Sequence, residues 1–158
     1  MIVAVGKKLP SFSLPRSDGS TWKTSDCFSK DGGGKLVLFF YPKAMTPGCT
    51  LEGQDFRDLH AQFKRARTTV LGISKDSCER QARFRAKEKF PFELLSDEDE
   101  KVCRLFDVIK EKSLYGRKFM GIERSTFLFD EAGKLVREWR KVRVKGHAAE
   151  VLEAAKAL

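Results

Sequence analysis

Two continuous apolar runs stand out along the chain, separated by a segment with helical periodicity. Residues Leu36 to Tyr41 are apolar without a break, which is typical of a strand buried on both faces of a sheet. The apolar, β-branched segment 68–76 predicts a second buried strand. Between them, helical spacing predicts a helix over 50–67, with an apolar face made by Leu51, Phe56, Leu59 and Phe63. This order predicts a βαβ unit with parallel strands.

Shorter elements follow in the second half of the chain. Asp76 or Ser77 is placed to cap a helix that ends near Lys89. The remaining predictions are an extended segment FELLSD, a short helix over 97–106, two strands around an Asp-Glu-Ala-Gly turn within 124–140, and a closing helix over 147–158.

This order of elements predicts an α/β fold with a central mixed sheet flanked by helices. It fits a thioredoxin-like core with an N-terminal extension. The chain has 158 residues and shows neither an internal repeat nor a long linker, so we expect 1–158 to form one domain. The glycine-rich segment DGGGK at 31–35 predicts a flexible turn, because it lacks the spacing and the Ser or Thr of a phosphate-binding loop.

Charge and hydropathy narrow the range of partners. The net charge of +9 could attract nucleic acid, but the basic residues are spread and alternate with acidic ones, which favours a solvated surface. We therefore expect no nucleic-acid partner. No stretch approaches the roughly 18 apolar residues of a membrane span. The first residues also lack the order of a signal peptide. These features predict a cytoplasmic protein with no membrane partner.

The cysteines are the candidates for chemistry. Cys27, Cys49, Cys78 and Cys103 form no CxxC pair, and the two histidines are far apart in sequence. A zinc site requires clustered ligands, so no metal and no other cofactor is expected. A disulfide framework is unfavourable in a reducing compartment. Each cysteine is then either a small buried apolar residue, which is the commoner case, or a reactive thiol.

Cys49 differs from the others in its position, because it lies where the first buried strand gives way to a helix. Free amide N–H groups and the positive end of the helix dipole favour a thiolate there. The thiolate is the nucleophilic form of cysteine. Pro47 and Gly48 turn the backbone just before it, and the Thr46 hydroxyl could donate to the sulfur or to a substrate oxygen.

The spacing of Pro42, Thr46, Cys49 and Glu52 resembles the peroxidatic motif of peroxiredoxins. The segment FYPKAMTPGCTLEGQDFRD is similar to the bacterioferritin comigratory protein, or peroxiredoxin Q, subfamily in particular. Downstream, GIERSTFL carries Arg124, the arginine that such enzymes use. The resemblance covers nearly the whole chain and implies a thioredoxin-like, thiol-dependent peroxidase.

The resemblance also implies roles for single residues. Cys49 would attack the outer oxygen of hydrogen peroxide or an organic hydroperoxide and become a sulfenic acid. Thr46 would hold the peroxide, and Pro42 would shield the sulfur from water. Arg124 would stabilise the thiolate and the charge on the leaving oxygen. Glu52 would orient Arg124, although an acid in the first turn of a helix also has a general structural explanation.

The chain departs from the subfamily in its second cysteine. Many members place a resolving cysteine five residues after the first, where this chain has Gln54, or in the next helix, where it has Arg85. The apolar neighbours of Cys103 predict burial, and Cys27, in the N-terminal extension, is expected to be structural.

Two mechanisms therefore remain open, and the first is favoured. In the first, Cys49 acts alone and an external thiol (thioredoxin, glutaredoxin or a small thiol) reduces its sulfenic acid. In the second, Cys78 is a displaced resolving cysteine. Cys78 lies seven residues before Arg85, a rise of roughly 10 Å along a helix. A disulfide needs Cα atoms within about 7 Å, so this pairing would require more helix unwinding. The subfamily resemblance implies a monomer, with a weak dimer as the alternative.

Overall fold

The computed structural model describes residues 3–28 and 34–158, so most of the turn predicted over 31–35 lies outside the described residues. In chain order the strands are β1 (Ser13–Pro15), β2 (Thr21–Lys23), β3 (Lys35–Phe40), β4 (Thr68–Ser74), β5 (Glu93–Ser96), β6 (Ile109–Leu114), β7 (Arg117–Ile122), β8 (Ser125–Phe129) and β9 (Leu135–Trp139). The helices are α1 (Pro47–Asp58), α2 (His60–Arg65), α3 (Cys78–Glu88), α4 (Lys101–Leu105) and α5 (His147–Lys156), and a 3₁₀ turn spans Thr24–Asp26.

The central sheet is mixed, as the sequence predicts. Its strand order is β5-β4-β3-β8-β9. The pairs β3–β4 and β4–β5 are parallel, while β3–β8 and β8–β9 are antiparallel. The βαβ units thus form one half of the sheet, and the predicted hairpin β8–β9 forms the other half.

Strand β3 separates two apolar clusters, one on each face of the sheet. Its alternate residues Leu36 and Leu38 belong to one cluster, and Val37 and Phe39 belong to the other. We name the second cluster the Cys49 face, because Cys49 packs within it. All six residues of β3 are buried, which explains why its sequence from Leu36 onwards is a continuous apolar run instead of an alternating one.

The helix predicted over 50–67 is two helices, α1 and α2, which meet at Leu59. Helix α1 begins earlier than predicted because Thr46 is extended and Pro47 supplies a favourable first helical residue. Leu51 was expected on the apolar face but is 49% exposed. Five residues, or roughly 140° of helical rotation, separate it from the buried Phe56, so the two side chains point in different directions.

The next two helices are fixed by side-chain caps. Ser77 caps α3 by accepting a hydrogen bond from the Arg80 amide, as one of the two predicted alternatives requires. Helix α4 is shorter than the predicted 97–106. Asp97 lies before it, buried, and its carboxylate accepts hydrogen bonds from the amides of Val102 and Cys103. The aspartate therefore caps the helix from outside instead of belonging to it.

The hairpin β6–β7 is absent from the sequence prediction, which assigned no element to residues 107–123. The strands meet at Tyr115 and Gly116, both of which have positive φ. A two-residue turn with positive φ at both positions is a favoured hairpin turn, and its glycine was the available signal. None of the helices among residues 3–28 and 34–158 has the length and apolar character needed to cross a membrane.

Candidate active site

Cys49 lies in the first turn of α1 and is nearly inaccessible to solvent. Thr46 is the extended residue before the helix, which makes Cys49 its third residue, and the side chain packs in the apolar cluster with 1% exposure. Arg124 donates a hydrogen bond to its sulfur, with 3.4 Å between Nη2 and Sγ. A Cβ at Gly48 would lie 3.0 Å from the same Nη2, so the glycine leaves room for the guanidinium beside the sulfur. The helix N-terminus and the guanidinium both place positive charge beside the Cys49 sulfur.

Glu52 holds the other end of the Arg124 guanidinium. Its Oε1 accepts a hydrogen bond from Arg124 Nη1 at 2.7 Å, and the carboxylate side chain is 1% exposed. Burial raises the pKa of Glu52 from its ordinary value of 4.5 to about 7, although the positive charge of Arg124 acts in the opposite direction. The second oxygen, Oε2, is buried and has no hydrogen-bond partner among the described residues. The planar guanidinium therefore bridges a carboxyl group and a sulfur with two nitrogens held in a fixed geometry, whereas a lysine would have to reach both from a single nitrogen.

Thr46 and Pro42 lie on the loop between β3 and α1. The Thr46 hydroxyl donates its proton to the Lys43 carbonyl oxygen at 2.8 Å. Its lone pairs, not its proton, are thus available to a ligand. This differs from the expected donation to the sulfur or to a substrate oxygen, because the backbone carbonyl three residues earlier already takes the proton. Pro42 is half-buried at the beginning of this loop.

The same loop is held from outside by α3 and the residue before its cap. Asp76 accepts a hydrogen bond from the Ala44 amide at 2.8 Å, and Arg80 donates to the Ala44 carbonyl at 3.2 Å. Asp76 and Arg80 are themselves an ion pair, with 2.9 Å between Oδ1 and Nε. The next residue, Met45, has a φ of 64°, which is uncommon for a residue with a side chain. The contacts to Ala44 hold this conformation in place. Sequence reasoning considered Asp76 only as a helix cap and missed this role.

The other cysteines fall into two groups. Cys27 and Cys103 belong to the apolar cluster on the opposite face of the sheet from Cys49. Burial raises the pKa of both thiols, and Asp97 raises that of Cys103 further. Both are buried, as predicted for Cys103. Cys78 is the first residue of α3 and is half-buried.

The structure thus brings Arg124 into contact with both Cys49 and Glu52 and places Thr46 and Pro42 on the loop just before α1. Residues 3–28 and 34–158 contain no group of three or more His, Cys, Asp or Glu side chains arranged to hold a metal ion. A cavity of about 770 Å³ lies elsewhere, between the N-terminal extension and α4, and none of its lining residues belongs to this cluster. On the hairpin missed by sequence reasoning, partial burial lowers the pKa of Lys112, and the positive charge of Arg124 lowers it further.

Comparisons of the sequence with known proteins agree on one family. Residues 5–138 match the AhpC/TSA family. The chain is 47% identical to peroxiredoxin Bcp of Bacillus subtilis over 156 residues, which is 99% of this chain and 97% of that protein. It is 51% identical to peroxiredoxin Bcp of Xanthomonas campestris over 148 residues, or 93% and 91% of the two chains.

Solved structures agree with these matches. A PrxQ variant from Xylella fastidiosa superposes with a TM-score of 0.91 at 42% identity, covering 99% of this chain and 98% of that one. The bacterioferritin comigratory protein of Xanthomonas campestris superposes with a TM-score of 0.85 at 48% identity, covering 92% and 90%. The thioredoxin-like fold is confirmed. The chain belongs to the AhpC/TSA family, among the peroxiredoxins of the Bcp and PrxQ type, and is a thiol-dependent peroxidase.

Proposed function

We propose that the protein reduces hydrogen peroxide and organic hydroperoxides by forming a sulfenic acid on Cys49. The observation that carries this proposal is the hydrogen bond from Arg124 to the buried Cys49 sulfur at the start of α1. The thiolate attacks the outer peroxide oxygen, an S–O bond forms, the O–O bond breaks, and the other oxygen leaves as hydroxide or alkoxide. A fixed positive charge at the site stabilises both the thiolate and the negative charge that develops on the leaving oxygen.

The loop before Cys49 supplies the substrate contacts in this proposal. Because the Thr46 proton is donated to Lys43, its hydroxyl oxygen accepts a hydrogen bond from the peroxide O–H. Pro42 shields the sulfur from water. Organic hydroperoxides are included because the similar Xanthomonas campestris protein was solved in relation to its alkyl peroxide reduction activity.

A single-cysteine mechanism fits the described contacts. Gln54, at the first position where relatives keep a resolving cysteine, donates a hydrogen bond to Glu88 at 2.8 Å. Arg85, at the second position, forms an ion pair with Glu93 at 2.9 Å. Both positions are used for structural contacts. The sulfenic acid is then reduced by an external thiol: thioredoxin, glutaredoxin or a small thiol.

A two-cysteine mechanism through Cys78 is the second candidate. One observation favours it: Asp76 and Arg80, which flank Cys78, both contact Ala44 on the loop that leads to Cys49. The same contacts oppose it, because they and the Ser77 cap would have to break before the first turn of α3 could unwind. We also propose that residues 1–158 form one domain. The protein then acts in the cytoplasm as a monomer and does not bind nucleic acid.

Mass spectrometry of the protein treated with one equivalent of peroxide distinguishes these mechanisms. With a sulfenic-acid trap present, we expect the adduct on Cys49 and none after Cys49→Ser. Cys78→Ser should retain most of the turnover supported by a small thiol or glutaredoxin. An abundant Cys49–Cys78 disulfide, with turnover lost in Cys78→Ser, would establish the two-cysteine mechanism. Full peroxidase activity in Cys49→Ser would refute the proposal altogether.

A further inference from the structure

A basic loop joins β9 to α5 beside the Cys49 site. Between Trp139 and Glu150 the sequence holds four lysines or arginines and no acidic residue. In this loop the Val142 amide donates a hydrogen bond to the Arg124 carbonyl oxygen at 3.0 Å. The side chain of the same arginine donates to the Cys49 sulfur. The loop is therefore separated from that sulfur by the length of one arginine side chain.

Contacts at both ends hold this loop in place. At its start, the Arg140 guanidinium donates hydrogen bonds to the carbonyl oxygens of Asp107 and Phe106, at 2.9 and 3.0 Å. At its end, the ring of His147 packs edge-on against Phe56 of α1, with 6.1 Å between the ring centroids. A loop that is already ordered loses little conformational entropy when a partner binds to it.

Three side chains of this loop, Lys141, Arg143 and Lys145, form a surface that we name the basic strip. All three are exposed, whereas the valines between them are half-buried. The preceding Arg140 pairs with Glu138 at 3.3 Å. Across residues 3–28 and 34–158, no carboxylate forms such a pair with the basic strip. Its positive charges are therefore available to a partner.

The start of α1 adds exposed apolar surface close to the same sulfur. Pro47 is exposed and Leu51 is 49% exposed, and they lie two residues before and two residues after Cys49. Apolar area beside a charged rim is the usual composition of a protein interface. A second copy of this chain is a poor occupant, because its own basic strip would be repelled. An acidic protein fits both features.

We propose that the basic strip docks the protein that reduces Cys49, an acidic dithiol protein. This inference rests on the proposed Cys49 chemistry. A thiolate of the partner attacks the sulfur of the sulfenic acid, an S–S bond forms, and the S–O bond breaks. The oxygen takes a proton from solvent and leaves as water. The second thiol of the partner then displaces Cys49 as a thiolate, so the partner becomes the disulfide and Cys49 is reduced.

The basic strip would act on the encounter of the two proteins. Complementary charges raise association rates by about 10- to 1,000-fold at low salt, and they orient the partners before contact. Salt screens this attraction, because the Debye length falls from about 10 Å at 0.1 M to about 3 Å at 1 M. The reduction of Cys49 by an acidic partner should therefore depend steeply on salt.

The test measures the second-order rate at which the sulfenic acid, formed with one equivalent of peroxide, is reduced. The reductants are a thioredoxin of net negative charge, the uncharged dithiothreitol and the anionic small thiol 2-mercaptoethanesulfonate. The test variant carries Lys141→Glu, Arg143→Glu and Lys145→Glu together. Urea unfolding verifies its fold, and the salt dependence of the wild type supplies a measurement that needs no variant.

The matched control carries Lys7→Glu, Lys8→Glu and Lys134→Glu together, with the same change in net charge. These three lysines are exposed, and Lys8 and Lys134 are bridge partners. Lys134 lies beside the pair that closes the β8–β9 hairpin, whereas Arg124 precedes the first residue of β8. The control charges are therefore at the opposite end of the hairpin from the Cys49 site.

We expect the test variant to lose about 10- to 100-fold in rate with thioredoxin at low salt, and little at about 1 M salt. Its losses with the two small thiols, and those of the control with every reductant, should stay below about threefold. The proposal would be overturned by a wild-type rate with thioredoxin that is independent of salt or no faster than with dithiothreitol.

Four results with the variants would also overturn it: no loss with thioredoxin, the same loss in the control, a loss that persists at about 1 M salt, or an equal loss with either small thiol. The last of these would assign the basic strip to small anions, or to the integrity of the site, instead of to a protein. If peroxide formed no sulfenic acid on Cys49 of the unmodified protein, the proposed function itself would fail, which is a separate outcome.

Discussion

The substitution Glu52→Gln should change the stability of the protein in a way that depends on pH. Burial raises the pKa of Glu52 to about 7, compared with 4.5 in an exposed carboxyl group. The folded state therefore binds this proton more tightly than the unfolded state does. The contribution of Glu52 to stability is fully present below about pH 4.5 and is lost as the pH rises through about 7. Glutamine mimics the protonated form at every pH, so it does not carry this loss.

The size of the effect follows from the shift. One pKa unit corresponds to about 1.4 kcal/mol, so ionisation of Glu52 costs the folded protein about 3 kcal/mol above neutral pH. We expect Glu52→Gln and the wild type to have similar free energies of unfolding near pH 4. The free energy of unfolding of the variant should rise steadily relative to that of the wild type up to about pH 7, and the difference should stay constant above it.

Urea unfolding followed by circular dichroism, at closely spaced pH values from about 4 to about 8.5, measures this difference directly. Glu79→Gln is the matched control, because Glu79 is an exposed glutamate that also pairs with an arginine, Arg83. Its difference from the wild type should stay small across the range. A difference for Glu52→Gln that is flat with pH, or that turns against the variant as the pH rises, would refute the assignment of a burial-dominated carboxyl group.

Two predictions concern the rate of sulfenic acid formation. Arg124→Ala should lower this rate about 100- to 1,000-fold, as when an oxyanion-stabilising donor is removed. Arg124→Lys should lower it less, because lysine keeps the charge without the bridge to Glu52. Equal losses in the two variants would show that the charge contributes nothing. Thr46→Ser should retain most activity and Thr46→Val should lose most, because only serine preserves the hydroxyl that bonds Lys43; equal rates in the two variants would exclude a role for the hydroxyl.

The sequence predicted those parts of the fold that depend on a local pattern. The apolar run 36–41 indicated a strand buried on both faces, and β3 is buried along its whole length. The helix break at Leu59 was not predictable in the same way, since neither glycine nor proline marks it. The hairpin β6–β7 was missed because its strands are largely exposed and lack an apolar alternation. The Tyr115–Gly116 turn was its clearest signal.

The candidate site, like the fold, was predictable only where it depends on a local pattern. Cys49 could be singled out from its position between a strand and a helix, which is a local feature. The partners of its loop could not, because Asp76 lies 32 residues from Ala44 in sequence. Only the sheet topology brings them together. The lone-pair role of Thr46 also depends on a backbone carbonyl whose direction no residue pattern reveals.

The contacts that surround the Cys49 sulfur would also restrict access to the sulfenic acid of the proposed mechanism. Cys49 is 1% exposed. The contacts of Arg124 with Glu52 and Cys49, and that of Asp76 with Ala44 on the preceding loop, hold the first turn of α1 in place. A peroxide is small enough to reach such a sulfur, but a protein thiol is not while the turn stays folded. Under the proposed mechanism, reduction of Cys49 by thioredoxin or glutaredoxin requires local opening of α1, with loss of the Arg124 hydrogen bond, whereas a small thiol needs less opening. Asp76→Asn weakens the contacts of Asp76 with the Ala44 amide and with Arg80, which hold the loop before α1. Because this lowers the free energy of opening, Asp76→Asn should speed reduction by protein thiols more than by small thiols.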